Sequence, residues 1–362
     1  MREILQKLIS YRTTRDNPEE INKAFQYIAS LFDKSVFDVQ DFEHNGTYSQ
    51  LVSFKGKDAL HPRILLNGHL DVVPADNEEQ YEMRTEGTKA FGRGTSDMKG
   101  MCTVLIEAMR ELGKGTNPPD VALLLTGDEE VGGEDGVGYV IRETSMRPQF
   151  VACADTSDED GHVMVTKEKG SVWVEMKAEG RTAHGAYPWR GENALEKLVA
   201  AIEKIKQWVG PMEPDAWKTT VNVAVLETSN KTPNKVPADA RGILDIRFTE
   251  ATAKTPQELI EKIRALVPEV SVHGETNGSL LVVDENNPFL QTFKRTTESI
   301  IEKKVIMRIE HGATDARYFA EIGVPTVIFG AIGGGWHAPG EWIDLESLEQ
   351  SKNILTRFLA SV

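Results

Sequence analysis

The chain has 362 residues, a formal net charge of −15, 40% hydrophobic and 27% charged residues. So acidic a chain lacks the basic face that displaces counterions from nucleic acid and is unsuited to an anionic membrane surface, so neither partner is expected. Two cysteines exclude a disulfide framework, and the length exceeds what one hydrophobic core ordinarily serves, so two domains are expected.

In chain order, "MREILQKLISYRTTRDN" reads as an amphipathic helix without the apolar core of a signal peptide. No stretch approaches transmembrane length, so the expected location is cytoplasmic. Strand and helix patterns then alternate: "RILLNGHLDVV", "MCTVLIEAMREL", "VALLLTG", "GVGYVIRET", "FVACAD". That alternation predicts an α/β domain with a mainly parallel sheet covered by helices. Near residue 168 the texture changes. "GSVWVEMKAEG" alternates as a strand, and "GENALEKLVAAIEKIKQWV" has helical spacing. The strands "TTVNVAVLET" and "ARGILDIRFT", the helix "TPQELIEKIRAL" and the strand "EVSVHGET" follow. The order β-α-β-β-α-β predicts a ferredoxin-like module over 168–283, inserted into a larger domain made of 1–167 and 284–362. The larger domain resumes with helix "FLQTFKRTTESIIEKK", strand "VPTVIFGA" and a final helix.

Polar residues gather where these strands end. His69 and Asp71 follow "RILLNG", Asp128, Glu129 and Glu130 follow "VALLLTG", Asp155 follows "FVACA", and His337 follows "PTVIFGAIGGGW". Asp97, in "GRGTSDMKG", precedes a helix. Ligands of open α/β sheets bind beyond the carboxyl ends of the strands, so these groups are expected at one edge. Each has a plainer reading: Asp97 as a helix N-cap, Glu129 and Glu130 as a solvated acidic loop, Asp155 in an Asx turn, His337 as a loop histidine. Together they make a different case. Carboxylates crowded at one edge repel unless cations sit among them. Two histidines with several acids form the donor set of a divalent metal, with Zn²⁺ the natural borderline ion and Co²⁺ or Mn²⁺ as alternatives. Three ligand carboxylates and a hydroxide balance two divalent ions better than one.

"GHLDVVP", "GRGTSDMKG", "TGDEEVGG", "RTAHGAYP", "HGATDARYFAEIGVP" and "HAPGEW" resemble, in order, the motifs of the M20 family of dinuclear zinc metallopeptidases. That family includes acetylornithine deacetylase, succinyl-diaminopimelate desuccinylase and glutamate carboxypeptidases. The resemblance implies a catalytic domain with a lid and dimerisation domain, and hydrolysis of an N-acyl amino acid or short peptide with a free carboxylate. It implies two divalent metals ligated by His69, Asp97 as the bridge, Glu130, Asp155 and His337. Asp71 would orient His69. Glu129 would be the general base that takes a proton from a metal-bridging water. His184 would stabilise the oxyanion, reaching across a homodimer interface. Asn234, Arg247 and Thr314 would contact substrate, Arg247 by gripping its carboxylate. The peptide bond after Asp97 is expected to be cis. Where desuccinylases of the family have Arg-Arg-Gly, this chain has Glu168, Lys169 and Gly170. A carboxylate there would repel a succinyl group, which counts against desuccinylation. His311 stands where relatives carry a small residue, which would alter the pocket floor.

Two other readings exist. A catalytically inactive relative could serve in binding or assembly, but such relatives lose ligands or the base, and here all are present. A nucleotide-binding protein could use "GRGTSDMKG" or "GAIGGGW" for phosphate, but neither matches a P-loop or G-x-G-x-x-G turn.

Overall fold

The computed structural model describes residues 1–362, the side chains of Thr276 and Asn277 excepted. It divides into two compact units: Met1–Lys167 with Val282–Ile309 and Thr314–Val362, and Glu168–Leu281 with Glu310–Ala313.

The first unit opens with α1 (Arg2–Ser10), α2 (Pro18–Ser30), β1 (Phe37–His44), β2 (Thr47–Phe54) and β3 (Ile64–His69). Then come β4 (Arg84–Glu86), β5 (Lys89–Phe91), α3 (Gly100–Leu112), β6 (Val121–Thr126), α4 (Tyr139–Thr144), β7 (Phe150–Asp158) and β8 (Val163–Glu168). The second unit holds β9 (Gly170–Glu179), α5 (Ala194–Val209), β10 (Thr220–Glu227), β11 (Asp239–Phe248), α6 (Pro256–Leu266) and β12 (Ser271–Gly278). The chain continues through β13 (Leu281–Val282), α7 (Pro288–Ile301), β14 (Ile306–Glu310), α8 (Ala316–Glu321), β15 (Thr326–Gly334), β16 (Trp342–Asp344) and α9 (Leu345–Ala360).

The large sheet runs β1-β2-β6-β3-β7-β15-β16-β5-β4, with β8 also paired to β15 and β13 and β14 paired to β8. Its four central strands, β6-β3-β7-β15, are parallel. Antiparallel pairs flank them on both sides. Every residue of β3 and β6 is buried, the expected condition of central parallel strands, which is why "ILLNGH" and "VALLLT" read as apolar runs rather than alternations. The register pairs Ile64 with Val121 and His69 with Thr126, so β3 and β6 end level. The loops after them emerge together.

The strand–helix alternation does not extend to 37–54, which form a hairpin. Its turn is Asn45-Gly46, with φ of 48° and 80°. Two successive positive φ values make the tight turn whose twist matches the strands, and Asn-Gly is the pair that tolerates it.

In the second unit the sheet order is β10-β11-β9-β12, all antiparallel. Alternate residues of β9, Val172, Val174 and Met176, meet Leu198, Ile202 and Ile205 of α5 and Leu259 and Ile263 of α6 in one core. Asn193 caps α5 through the N–H groups of Leu195 and Glu196, and Thr255 caps α6 through that of Glu258. The element order is that of a ferredoxin-like module. Residues 310–313 also belong to this unit, a return that no local pattern announces.

Candidate metal centre

Four strands of the first unit deliver the site. His69 is the last residue of β3, Glu129 and Glu130 open a single turn beyond β6, Asp155 lies in the second half of β7, and His337 follows β15. Asp97 sits in an irregular turn before α3, with φ −124° and ψ 96° and a cis peptide bond to Met98, as expected. It caps no helix: the N-cap of α3 is Lys99. The Asx turn in "ADTSDED" belongs to Asp158, whose Oδ1 accepts the Asp160 N–H at 2.9 Å.

The Asp97 carboxylate lies between two imidazoles. Its Oδ1 is 3.1 Å from His69 Nε2 and its Oδ2 is 3.1 Å from His337 Nε2. On the His69 side, Asp155 Oδ1 is 3.4 Å and Glu129 Oε2 is 4.0 Å from Nε2. On the His337 side, Glu130 Oε2 is 3.2 Å from Nε2. His69, Glu129 and Asp155 therefore form one donor group, and Asp97, Glu130 and His337 another, each with its donor atoms within 4.8 Å of one another. His337 has φ of 59°, in the left-handed region that few non-glycine residues adopt and that histidine enters more readily than most.

The electrostatics are those of a cluster short of positive charge. Burial, and then the Asp97 carboxylate, push Glu130 up to about 7. Burial and Asp155 raise Glu129 well above the carboxylate range, and burial also raises Asp155. For His69, burial opposes the charged ring, but the Asp155, Asp71 and Asp97 carboxylates outweigh it and raise its pKa well above the ordinary imidazole value. The hydrogen bond to Asp97 raises His337 to about 9. Burial opposes ionisation of Asp97, but the hydrogen bonds from both histidines hold it far below its usual range. These carboxylates can all ionise only if further cations join the two rings. The donor chemistry, imidazole and carboxylate in two adjoining groups, fits two divalent ions.

Asp71 does two jobs. Its backbone carbonyl lies 3.1 Å from His69 Nδ1 and its Oδ1 3.4 Å, which fixes the ring and turns Nε2 toward Asp97. Its carboxylate also accepts the N–H groups of Glu129 at 3.2 Å and Glu130 at 2.9 Å, so it sets the turn carrying the expected base. From the far side, Arg317 and Tyr318 of α8 both donate to the Gly132 carbonyl, the tyrosine at 2.6 Å.

A second clasp was not foreseen. Glu341 is fully buried, pairs with Arg93 at 2.7 Å and accepts the N–H groups of Gly94, Ser96 and Asp97 at 3.0, 2.9 and 3.1 Å. Arg93 in turn donates to the His337 carbonyl at 3.0 Å. The pair ties the turn of Asp97 to the loop of His337. The motifs "GRG" and "GEW" contain both residues, but nothing local signals a bond across 248 positions.

Thr314, in the first unit, is half-buried, and its hydroxyl accepts the Ala316 N–H at 3.2 Å at the start of α8. In the second unit His184 is exposed, and its Nδ1 accepts the Ala186 N–H at 3.1 Å. Asn234 lies beside it: the Gly185 N–H donates to the Asn234 carbonyl at 2.6 Å, and a side chain at 185 would come within 3.0 Å of the Asn234 backbone. Arg247 is on β11, its Nε 3.0 Å from Asp245 Oδ1. His311 is exposed, whereas Glu168 is 1% exposed. A carboxylate so buried is not presented to an acyl group, which removes the footing of the argument against a succinyl substrate.

Known proteins carry the same plan. The model of peptidase family M20/M25/M40 matches residues 65–361. The succinyl-diaminopimelate desuccinylase of Zymomonas mobilis is 28% identical over 328 residues, covering 86% of this chain and 84% of that one. Among solved structures, aminopeptidase PepT from Bacillus cereus superposes with a TM-score of 0.74 at 19% identity, over 98% of this chain and 97% of that one. The YxeP protein of Bacillus subtilis, a dinuclear metal binding peptidase from the M20 family, superposes with a TM-score of 0.65 at 12% identity, over 100% and 99%. With a family match spanning most of the chain, and a fold shared end to end with solved members, the chain belongs to peptidase family M20/M25/M40.

Proposed function

We propose that this family member, an amidohydrolase or exopeptidase, cleaves the amide bond of an N-acyl amino acid or short peptide bearing a free carboxylate, with two divalent metals and Glu129 as general base. The observation that carries the reading is Asp97, whose two oxygens face different imidazoles while Glu129 and Glu130 stand on either side. His69, Asp97 and Asp155 would hold one ion, and His337, Asp97 and Glu130 the other, Zn²⁺ suiting this mixed donor set. When bound, such ions supply Lewis acidity at the amide carbonyl and acidify the attacking water.

The protein groups do the rest. Glu129 accepts the proton of the attacking water, its Oε2 standing 4.0 Å from His69 Nε2 at the edge of the donor group. It passes that proton to the amide nitrogen as the C–N bond breaks. Asp71 holds both His69 and the turn of Glu129, so ligand and base are aligned by one side chain. His184 supports oxyanion binding: an Nδ1 that accepts a hydrogen bond leaves the proton on Nε2, which is the donor an oxyanion needs. Asn234 would serve beside it, while Arg247 and Thr314 would bind the substrate carboxylate. Asn234 precedes the first residue of β11 and Arg247 is near its last, with the strand between spanning about 26 Å at the usual rise. One substrate cannot meet both from a single chain, which supports a homodimer.

The test is a panel of N-acetyl amino acids, N-succinyl amino acids and dipeptides assayed with Zn²⁺, Co²⁺ and Mn²⁺. The reading expects turnover of at least one class, abolished by chelation and restored by metal. Turnover unaffected by chelation, or none of any amide, would remove it.

A further inference from the structure

Glu129 and Glu130 lie on the loop "DEEVGGEDG", residues 128–136. Gly132 and Gly133 there have φ of 113° and 64°. Glycines leave a chain many conformations, so a loop of this composition keeps one shape only if something ties it. Asp71 fixes the N–H groups of Glu129 and Glu130, and Arg317 and Tyr318 hold the Gly132 carbonyl. Neither contact closes the loop on itself.

That closure is made by Asp128, which is 3% exposed. Its backbone carbonyl accepts the N–H groups of Val131 at 3.2 Å and Gly133 at 2.8 Å. Its side chain reaches further along the chain: Oδ2 accepts the N–H groups of Asp135 at 3.0 Å and Gly136 at 2.9 Å. One residue thus joins the start of the loop to its end. The end is fixed in turn to the β1–β2 hairpin, where the Asn45 amide donates to Asp135 Oδ1 at 2.9 Å.

Two details show what the Asp128 side chain supplies. Both N–H groups go to a single oxygen, and Oδ1 accepts no hydrogen bond among the described residues. A side chain at 136 would come within 2.0 Å of that Oδ1, so the carboxylate closes on the loop only because residue 136 is glycine. An uncharged amide carbonyl of the same shape could accept the same two N–H groups.

We propose that Asp128 is a positioning residue: by closing this loop it aims Glu130 at its ion and Glu129 at the attacking water, and it does so as an acceptor of two N–H groups rather than as a charge. The proposal rests on the dimetal amidohydrolase reading above and extends it to a side chain that makes no hydrogen bond to either donor group among the described residues.

The test takes the full chain, stripped of metal, as wild type, Asp128→Ala, Gly136→Ala and Asp128→Asn. Each is titrated calorimetrically with Zn²⁺ and then assayed. In the two alanine variants one ion should keep its affinity, because Glu130 is not among its ligands. The other should bind about 10- to 100-fold more weakly, as when a group that orients a ligand is lost. Turnover should fall by about 10² in kcat, the effect of displacing a reacting group by roughly 1 Å, with KM unchanged. Asp128→Asn keeps the acceptor and should restore both the second ion and kcat. A merely structural role would lower the urea midpoint without separating the two ions. Equal, wild-type affinity for both ions in a folded alanine variant would overturn the inference, and so would a weakened second ion in Asp128→Asn. If neither alanine variant folds, Asp128→Asn decides together with amide hydrogen exchange of the wild type. The Asp135 and Gly136 N–H groups should be protected there, and free exchange of both would overturn the closure. If the wild type binds two ions but hydrolyses no amide, the amidohydrolase reading fails, and the titration still judges the loop.

Discussion

Asp97 is the residue on which the two donor groups depend, because each of its oxygens faces one histidine. Asp97→Ala should therefore cost both metals rather than one. Metal analysis of the purified variant should give less than half an equivalent per chain, and retention of one full equivalent would show that the carboxylate serves a single ion. Away from the site, His162 has a different part in pH behaviour. It is 6% exposed, with Nε2 3.3 Å from the Ser347 carbonyl, and burial lowers its pKa. Below about pH 6.5 the unfolded chain gains a proton on this ring that the folded chain resists, so stability falls as pH falls. Urea unfolding at pH 7.5 and 5.5 should show a smaller loss in His162→Gln than in the wild type. An equal loss in both would mean that His162 contributes nothing to acid sensitivity.

At the scale of elements, the site is a set of loops pinned to each other, and the pins differ in how readable they were. Strand ends were readable because β3, β6 and β7 are apolar runs that stop at a polar residue, and a parallel sheet brings such ends to one edge. Asp97 could be placed with them from its position before a helix, but its bridging role came only through resemblance, since a lone Asp there looks like a cap. The Arg93–Glu341 clasp was not readable at all, for a bond between distant loops leaves no local pattern. The Asn45-Gly46 hairpin carries a clear local signal, since Asn-Gly is the pair that tolerates two successive positive φ values. The clasp supplies its own prediction. Glu341→Ala leaves Arg93 buried without a counter-charge and three N–H groups without an acceptor. Loss of one partner of a buried pair costs about 3–5 kcal/mol, so the urea midpoint of the first unit should fall sharply. A midpoint within error of the wild type would show that water replaces the carboxylate at no cost.

For the molecule as a whole, His184 meets the metal centre either by closure within one chain or, as we propose, by each chain lending it to a partner. Glu129→Ala and His184→Ala homodimers should each be nearly inactive. After subunit exchange, each mixed dimer has one site with an intact base from one chain and an intact His184 from the other, so activity should reappear. No recovery, with exchange verified by mass, would exclude donation between chains. Among the described residues, no helix is long and apolar enough to cross a membrane. The central claim is that Glu129 moves the proton at a dimetal site and does not hold the metals there. Glu129→Ala, assayed beside the wild type for metal content and turnover in one preparation, tests it most directly. The account predicts about two equivalents per chain in both proteins and a loss of about 10² to 10⁴ in kcat in the variant. Turnover near the wild-type rate, or loss of metal together with activity, would contradict it.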